Sequence, residues 1–311
     1  MNPAIATTNR MLVIGAVHLD DIAQPDCPLV PEASNPVTWT QRIGGVAANA
    51  ACAAARILNT PTNNQVEIVA AVGDDAIALQ LKQALHTAGV GTRLFEFPGA
   101  HTGRYTAIMT NDGELHIGLA DVSLAERLGE SNDHKIAELD AYHAVLVDAN
   151  LSESYLRTIA TQTNQLDVLL TAMSVSPIKS LRLLGIAKQI DVLFCNRREA
   201  LFMNPQLPAS ASLSELADGL CQAGFTQLVL TDGGSPLLVQ DKIQRVRLNV
   251  PDVESTQNVN GAGDALAGAS FAAWSNGMNL VQAVQEVGLA QAAMVVKGDH
   301  TALQINSAVS Q

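Results

Sequence analysis

The chain has 311 residues, a formal net charge of −12, 48% apolar residues and only 4% aromatic ones. That length is ample for a sizeable core. The acidity, with no Lys/Arg run longer than Arg197-Arg198, excludes nucleic acid and an anionic membrane as partners, and so few aromatics exclude a stacking platform for single strands.

Four scattered cysteines, Cys27, Cys52, Cys195 and Cys221, form no CxxC pair. They point to a reducing, cytoplasmic compartment and to no zinc site. The apolar run 11–17 is too short to cross a bilayer and leads into Asp20-Asp21. It reads as a buried strand, not a signal peptide.

In chain order, residues 10–16 form the first expected strand, ending in Gly15-Ala16-Val17-His18-Leu19-Asp20. A carboxylate just past the C-terminal end of a parallel strand stands where α/β proteins bind ligands; a turn or capping role is the other reading of Asp20. Residues 27–36, rich in proline, are irregular, and 38–43 form a short strand. Gly44-Gly45-Val46-Ala47-Ala48-Asn49 opens an alanine-rich helix to about Leu58. Asn49 falls near its first turn, where a polar side chain faces solvent or a ligand. Residues 67–72 are a strand and 76–88 a helix. Segments 104–110 and 114–120 flank Asn111-Asp112-Gly113, and Asp-Gly between alternating strands signals a hairpin. With 38–43 it makes a separate small sheet, a flap suited to covering a pocket; an ordinary edge hairpin is the alternative.

The second half alternates more regularly. Strands are expected at 144–148, 167–171, 192–195 and 227–231. Helices begin at Ser152 and cover 212–223, with another between the second and third of these strands. A hairpin of 236–240 and 243–248 turns across Asp241-Lys242, and helices 263–276 and 279–295 close the chain. This alternation predicts a single α/β domain over 1–311: a mostly parallel central sheet with helices on both faces, plus lid strands from about 17–43 and 100–121.

The chemistry concentrates in Asn260-Gly261-Ala262-Gly263-Asp264. The amides of a helix's first turn lack intrahelical partners and sit at its positive end. Phosphate binds there without Lys or Arg. Asp264, beside that nest, is placed to take a proton from an attacking hydroxyl; a plain helix cap is the alternative. The sequence has no G-x-x-x-x-G-K-[ST], no G-x-G-x-x-G after the first strand, no G-x-S-x-G and no H-x-x-x-H pair among its seven histidines. P-loop, dinucleotide, acyl-transfer and metal-hydrolase chemistry therefore lack support.

Four stretches, in order, resemble the ribokinase-like (PfkB-type) family of sugar and nucleoside kinases. Gly44-Gly45-Val46-Ala47-Ala48-Asn49 resembles its G-G-x-x-x-N motif and Asn196-Arg197-Arg198-Glu199 its N-x-x-E motif. Thr231-Asp232-Gly233-Gly234 resembles its nucleotide stretch, and Asn260-Gly261-Ala262-Gly263-Asp264 its C-terminal motif. Within the family the pseudouridine kinases are most similar, on Ser34-Asn35-Pro36, Thr102-Gly103-Arg104-Tyr105, Asp148-Ala149-Asn150-Leu151-Ser152-Glu153 and the stretch around Asn258.

The resemblance implies a three-layer sandwich with a small β-sheet lid. It implies an ATP- and Mg²⁺-dependent kinase acting on the 5′-hydroxyl of pseudouridine; another nucleoside or a pentose is the alternative substrate, and a non-catalytic nucleoside-binding regulator the alternative role. Carried over by position, Asp264 is the base and Gly261, Ala262 and Gly263 supply amides for the transferred phosphoryl. Asp20, Gly44, Gly45 and Asn49 grip the ribose, with Thr102 and Lys179 near base or ribose. Asn196, Thr231, Gly233 and Asn260 face ATP, and Glu199 organises Mg²⁺ through water. A homodimer through the lid is implied as well.

The chain also departs from the family. Asn258 stands at a common Asp that helps hold a monovalent cation, which leaves K⁺ open. Asn260 replaces a Thr, Ala48 a frequent Arg, and His18 a frequent Asn. Thr171-Ala172-Met173-Ser174 replaces an Asp-containing stretch.

Overall fold

The computed structural model describes residues 9–58, 65–131, 134, 136, 138–252 and 261–298. Its main sheet takes β1 (Met11–Ile14), β4 (Val66–Gly73), β5 (Gly91–Phe97), β8 (Ala144–Asp148), β9 (Leu169–Met173), β10 (Val192–Asn196), β11 (Leu228–Asp232), β12 (Ser235–Gln240) and β13 (Arg245–Leu248). The order is β13-β12-β11-β10-β9-β8-β1-β4-β5. From β5 to β11 every neighbour is parallel, and β12 and β13 add an antiparallel edge. A second sheet, ordered β3-β2-β6-β7, holds β2 (His18–Pro25), β3 (Val37–Gly44), β6 (Arg104–Met109) and β7 (Leu115–Asp121).

β1 shows how the sequence makes three layers. All four of its residues are buried, yet they part by alternation: Leu12 and Ile14 enter one core cluster, Met11 and Val13 the other. A strand covered on both faces carries such a continuous apolar run. The first core is closed by α3 (Glu153–Leu166), α4 (Pro177–Leu184), α5 (Arg197–Met203) and α6 (Leu213–Ala223). The second is closed by α1 (Val46–Leu58), α2 (Ala76–Thr87), α7 (Ala262–Ser275) and the last helix. The α/β class, the parallel sheet and the small separate sheet are those expected.

Some details differ from expectation. Within the span of about 17–43 expected to give lid strands only 38–43 was delimited as a strand; β2 adds eight residues, His18–Pro25, before it. Its buried positions are Leu19, Asp21, Ala23 and Pro25. Asp21 breaks the apolar alternation there and is buried because Gln41 donates to it at 2.8 Å and Arg104 lies 2.9 Å away. β5, an edge strand, carries no comparable apolar pattern. The last helix starts at Leu280–Gln282, opens into π-helical turns over Ala283–Gly288 and resumes at Leu289–Val296. There Gly288 lies so close to α7 that a Cβ would run into Ser270.

Two helices that matter below, α1 and α7, pack at van der Waals distance because small residues line both. A Cβ at Gly268 would run into the backbone of Ala50. Adding a methyl group to such a contact costs roughly 1–3 kcal/mol. Gly268→Ala is therefore expected to lower unfolding free energy by about that much, read by urea titration. Unchanged stability would contradict this packing.

Candidate active site

The strand order reverses between β1 and β8: β4 and β5 continue on one side of β1, and β8 to β11 on the other. Ligands bind in the crevice that opens at the C-terminal ends of two such strands. The chain leaves β1 through Gly15–Val17 straight into the lid strand β2, then returns along β3 to α1. The same crossing therefore builds the floor and the roof of one cleft.

The diglycine makes this crossing possible. Gly45 has φ +106°, which favours glycine, and its carbonyl accepts the Asn49 amide at 2.9 Å to start α1. A Cβ at Gly44 would run into the carboxylate of Asp20, so Asp20 hangs from the lid directly over the α1 start. His18 Nδ1 lies 2.8 Å from Asp20 Oδ1, and Tyr105, the register partner of Asp20 on β6, stands beside it. Burial and the charge of Asp20 raise the Tyr105 hydroxyl above its ordinary value.

Asn49, one turn into α1, donates from Nδ2 to Asp264 Oδ2 at 2.9 Å. Asp264 lies in the first turn of α7, whose N-cap is Gly261 with φ +83°. Ala265 N–H reaches back to Gly261 at 2.9 Å. The amides of Ala262, Gly263 and Asp264 precede it, so none has a partner within the helix. Gly263 is exposed and a Cβ there would meet nothing. Asp264 retains some contact with solvent while protein crowds its carboxyl. Burial is the largest influence pushing its pKa up to about 6; Asp148 and Glu199 add to it, while the Asn49 hydrogen bond and His18 oppose it.

The nucleotide-side residues cap neighbouring strands. Asn196 and Thr231 are register partners at the ends of β10 and β11. Gly233 follows with φ +58° and open space around it. Glu199 is 5% exposed and locked in a capping box: Asn196 N–H donates to its Oε2 at 2.9 Å, and its own N–H donates to Asn196 Oδ1 at 3.0 Å. Burial raises its carboxyl above the ordinary range. Among the described residues no group of three or more His, Cys, Asp and Glu is arranged to hold a metal ion. One carboxylate still fits Mg²⁺, which keeps several waters and binds through one or two carboxylates and substrate phosphates.

The structure thus groups Asp20, Gly44, Gly45, Asn49 and Asp264, with Gly261, Ala262 and Gly263 beside them. Thr102 is engaged elsewhere. It is 3% exposed; its hydroxyl donates to Asp75 Oδ1 at 2.7 Å and accepts the Gly73 amide at 3.0 Å, so it ties the lid to the N-cap of α2. Lys179 donates to Asn150 Oδ1 at 3.0 Å and lies 3.3 Å from Glu126. Thr171 and Ala172 are fully buried in β9, so of that divergent stretch only Ser174 lies beyond the strand. Asn258 and Asn260 lie outside the described residues. Asp148 was given no role by the sequence beyond its place in a stretch of family resemblance; its signal was a lone carboxylate closing an all-apolar strand.

A sequence profile described as pfkB family carbohydrate kinase matches residues 8–306. The chain belongs to the PfkB family of kinases. It is 25% identical over 282 residues to the pseudouridine kinase of Escherichia coli (strain K12), covering 88% of this chain and 87% of that protein. A carbohydrate kinase from Agrobacterium tumefaciens is 31% identical with a TM-score of 0.78, covering 93% of this chain and 91% of that one. A ribokinase from Arabidopsis thaliana, solved with ribose and ATP, shares the fold at 18% identity with a TM-score of 0.78, covering 93% and 92%. The PfkB fold explains why the motif glycines fall at α1 and α7, the two helices that meet at Asn49 and Asp264.

The electrostatics can be tested on the protein alone. Aspartate ¹³C-carboxyl NMR is expected to show Asp264 titrating near pH 6. In Asn49→Ala that midpoint should rise, because the lost hydrogen bond favoured the charged form. A midpoint near 4 in the unaltered protein would contradict the site geometry.

Proposed function

We propose that this PfkB kinase is an ATP- and Mg²⁺-dependent enzyme that phosphorylates the 5′-hydroxyl of pseudouridine, with the whole chain acting as one catalytic unit in the cytoplasm. The observation that carries the phosphoryl-transfer part is Asp264, held by Asn49 beside the free amides of α7. The pseudouridine part rests on the similarity to the Escherichia coli enzyme. Among the described residues no helix is long and apolar enough to cross a membrane.

Phosphoryl transfer asks little covalent work of a protein; it asks for alignment, charge stabilisation and a base. Asp20 and Asn49 supply an acceptor and a donor for vicinal ribose hydroxyls. Asp264 takes the proton of the 5′-hydroxyl as that oxygen bonds to the γ-phosphorus and the bond to ADP breaks. A carboxylate whose proton affinity has been raised toward neutrality is a stronger base for that step. The amides of Ala262, Gly263 and Asp264 face the charge on the phosphoryl oxygens. When bound, Mg²⁺ neutralises the triphosphate, and Glu199 and Asn196 are the residues that would orient its waters. Asn196, Thr231 and Gly233 border the nucleotide.

A second substrate reading, another nucleoside or a pentose, is favoured by His18 beside Asp20, where it alters the surface the substrate meets. A non-catalytic regulator would have no use for a buried carboxylate of raised proton affinity.

An ADP-release assay over a panel of nucleosides and sugars tests the assignment. Pseudouridine should give the highest kcat/KM. Uridine, adenosine or ribose exceeding it by more than about tenfold, roughly 1.4 kcal/mol of transition-state binding, would overturn the substrate. Asp264→Asn should fold, bind both substrates and lose at least about a hundredfold in kcat; near-normal kcat with a lowered melting point would make Asp264 a helix cap.

We propose further that two copies pair through the lid. Trp39, Ala23, Ile108 and Ile117 are successive register partners across its four strands and so share one face. Trp39 is 57% and Ile117 45% exposed, with Leu119 two residues along at 54%. Sedimentation should show a dimer that Trp39→Glu dissociates. A monomer in the unaltered protein would end this reading.

A further inference from the structure

Beside the proposed base lies a second carboxylate that the reaction above does not use. Asp148, the last residue of β8, has no exposed surface. Its Oδ2 accepts the amides of Ala16 at 2.9 Å and Ala47 at 3.2 Å, and Asn150 Nδ2 at 3.3 Å. Its Oδ1 accepts the Asn150 amide at 2.8 Å. Burial pushes its carboxyl above the ordinary carboxylate range, and these hydrogen bonds oppose that. All four partners are donors and none can take a proton from it, so the bonding pattern matches the carboxylate better than the acid. Gly15 leaves no slack, since a Cβ there would run into the carboxylate.

These bonds reach the site. Ala47 belongs to the first turn of α1, so Asp148 serves that helix as a remote N-terminal cap. Asn49, two residues on, carries the hydrogen bond to Asp264. We propose that Asp148 is a positioning residue for phosphoryl transfer: it locks the α1 start, and with it Asn49, against Asp264, and its buried negative charge strengthens Asp264 as a proton acceptor. The proposal rests on the reading of Asp264 as the base.

Four groups act on the charge of Asp264: Asn49 from α1 through its hydrogen bond, and Asp148 from β8, Glu199 from α5 and His18 from β2 through their fields. After burial, the two carboxylates raise its proton affinity, while Asn49 and His18 lower it. Glu199 borders the nucleotide side, where a triphosphate and Mg²⁺ change its field. Asp148 is sealed from solvent, so salt screens it far less than an exposed charge. It is the carboxylate whose influence persists through the reaction.

The test is the pH profile of kcat/KM. The base acts deprotonated, so activity falls as pH drops through the Asp264 midpoint. Removing a neighbouring negative charge lowers that midpoint. Asp148→Asn should move the acid limb down by roughly one pH unit, which a purely structural role would not do. A folded Asp148→Asn protein with an unmoved limb would overturn the proposal. Should this variant not fold, ¹³C-carboxyl NMR of the unaltered protein decides. Asp148 is then expected to be a carboxylate at neutral pH whose signal moves as Asp264 titrates, and to lose that movement in Asp264→Asn. A protonated Asp148, or a signal indifferent to Asp264, would overturn it. If Asp264→Asn retained near-normal kcat, the base reading would fail on its own, and the NMR titration would still report whether the two carboxylates are coupled.

Discussion

Asp148 ties three parts of the chain together at one carboxylate. Its carboxylate takes the amide that follows β1, the amide in the first turn of α1 and the amide two residues past β8. Those are the two strand ends flanking the switch point and the helix that closes over it. A buried charge without a cation is costly unless hydrogen-bonded, and here four donors surround it. Because three of the four donors are backbone amides, at the end of β1, the start of α1 and the end of β8, the arrangement fixes the crevice geometry to hydrogen-bond precision. The close packing of α1 on α7 then carries that precision to Asn49 and Asp264.

The site also shows how an acidic protein handles polyphosphate. Near Asp264 the charged side chains are mostly carboxylates, yet a phosphoryl group needs positive potential. The backbone supplies it, through the free amides of α7 and its dipole. The carboxylates serve a different end, holding Asp264 close to neutrality as a proton acceptor. Its raised proton affinity opposes folding above the ordinary carboxylate range, a stability penalty of the kind functional sites commonly carry.

Much of this was legible in the sequence because backbone requirements leave a mark there. Gly44, Gly45 and Gly261 stand where a positive φ or a close approach favours glycine, and strands such as Met11–Ile14 display their two-sided burial as an apolar run. Polar contacts made across the chain were harder to see. Asn49 on its own read as facing solvent or ligand, because its partner Asp264 lies 215 residues away. The bounds of β2 within 17–43 were not legible because Asp21 occupies a buried position satisfied by Gln41 and Arg104 from other strands. Thr102, expected near base or ribose, has its hydroxyl on the carboxylate of Asp75. In each case the deciding interaction joins residues that no local pattern connects.

The central claim is geometric: the acceptor hydroxyl meets Asp264 while the terminal phosphate meets the start of α7. A crystal structure with pseudouridine and a non-hydrolysable ATP analogue tests it most directly. The account predicts the 5′-oxygen within about 2.6–3.2 Å of an Asp264 carboxylate oxygen and the γ-phosphate on the amides of Ala262 and Gly263. A 5′-oxygen turned away from Asp264, or a triphosphate seated away from α7, would contradict it.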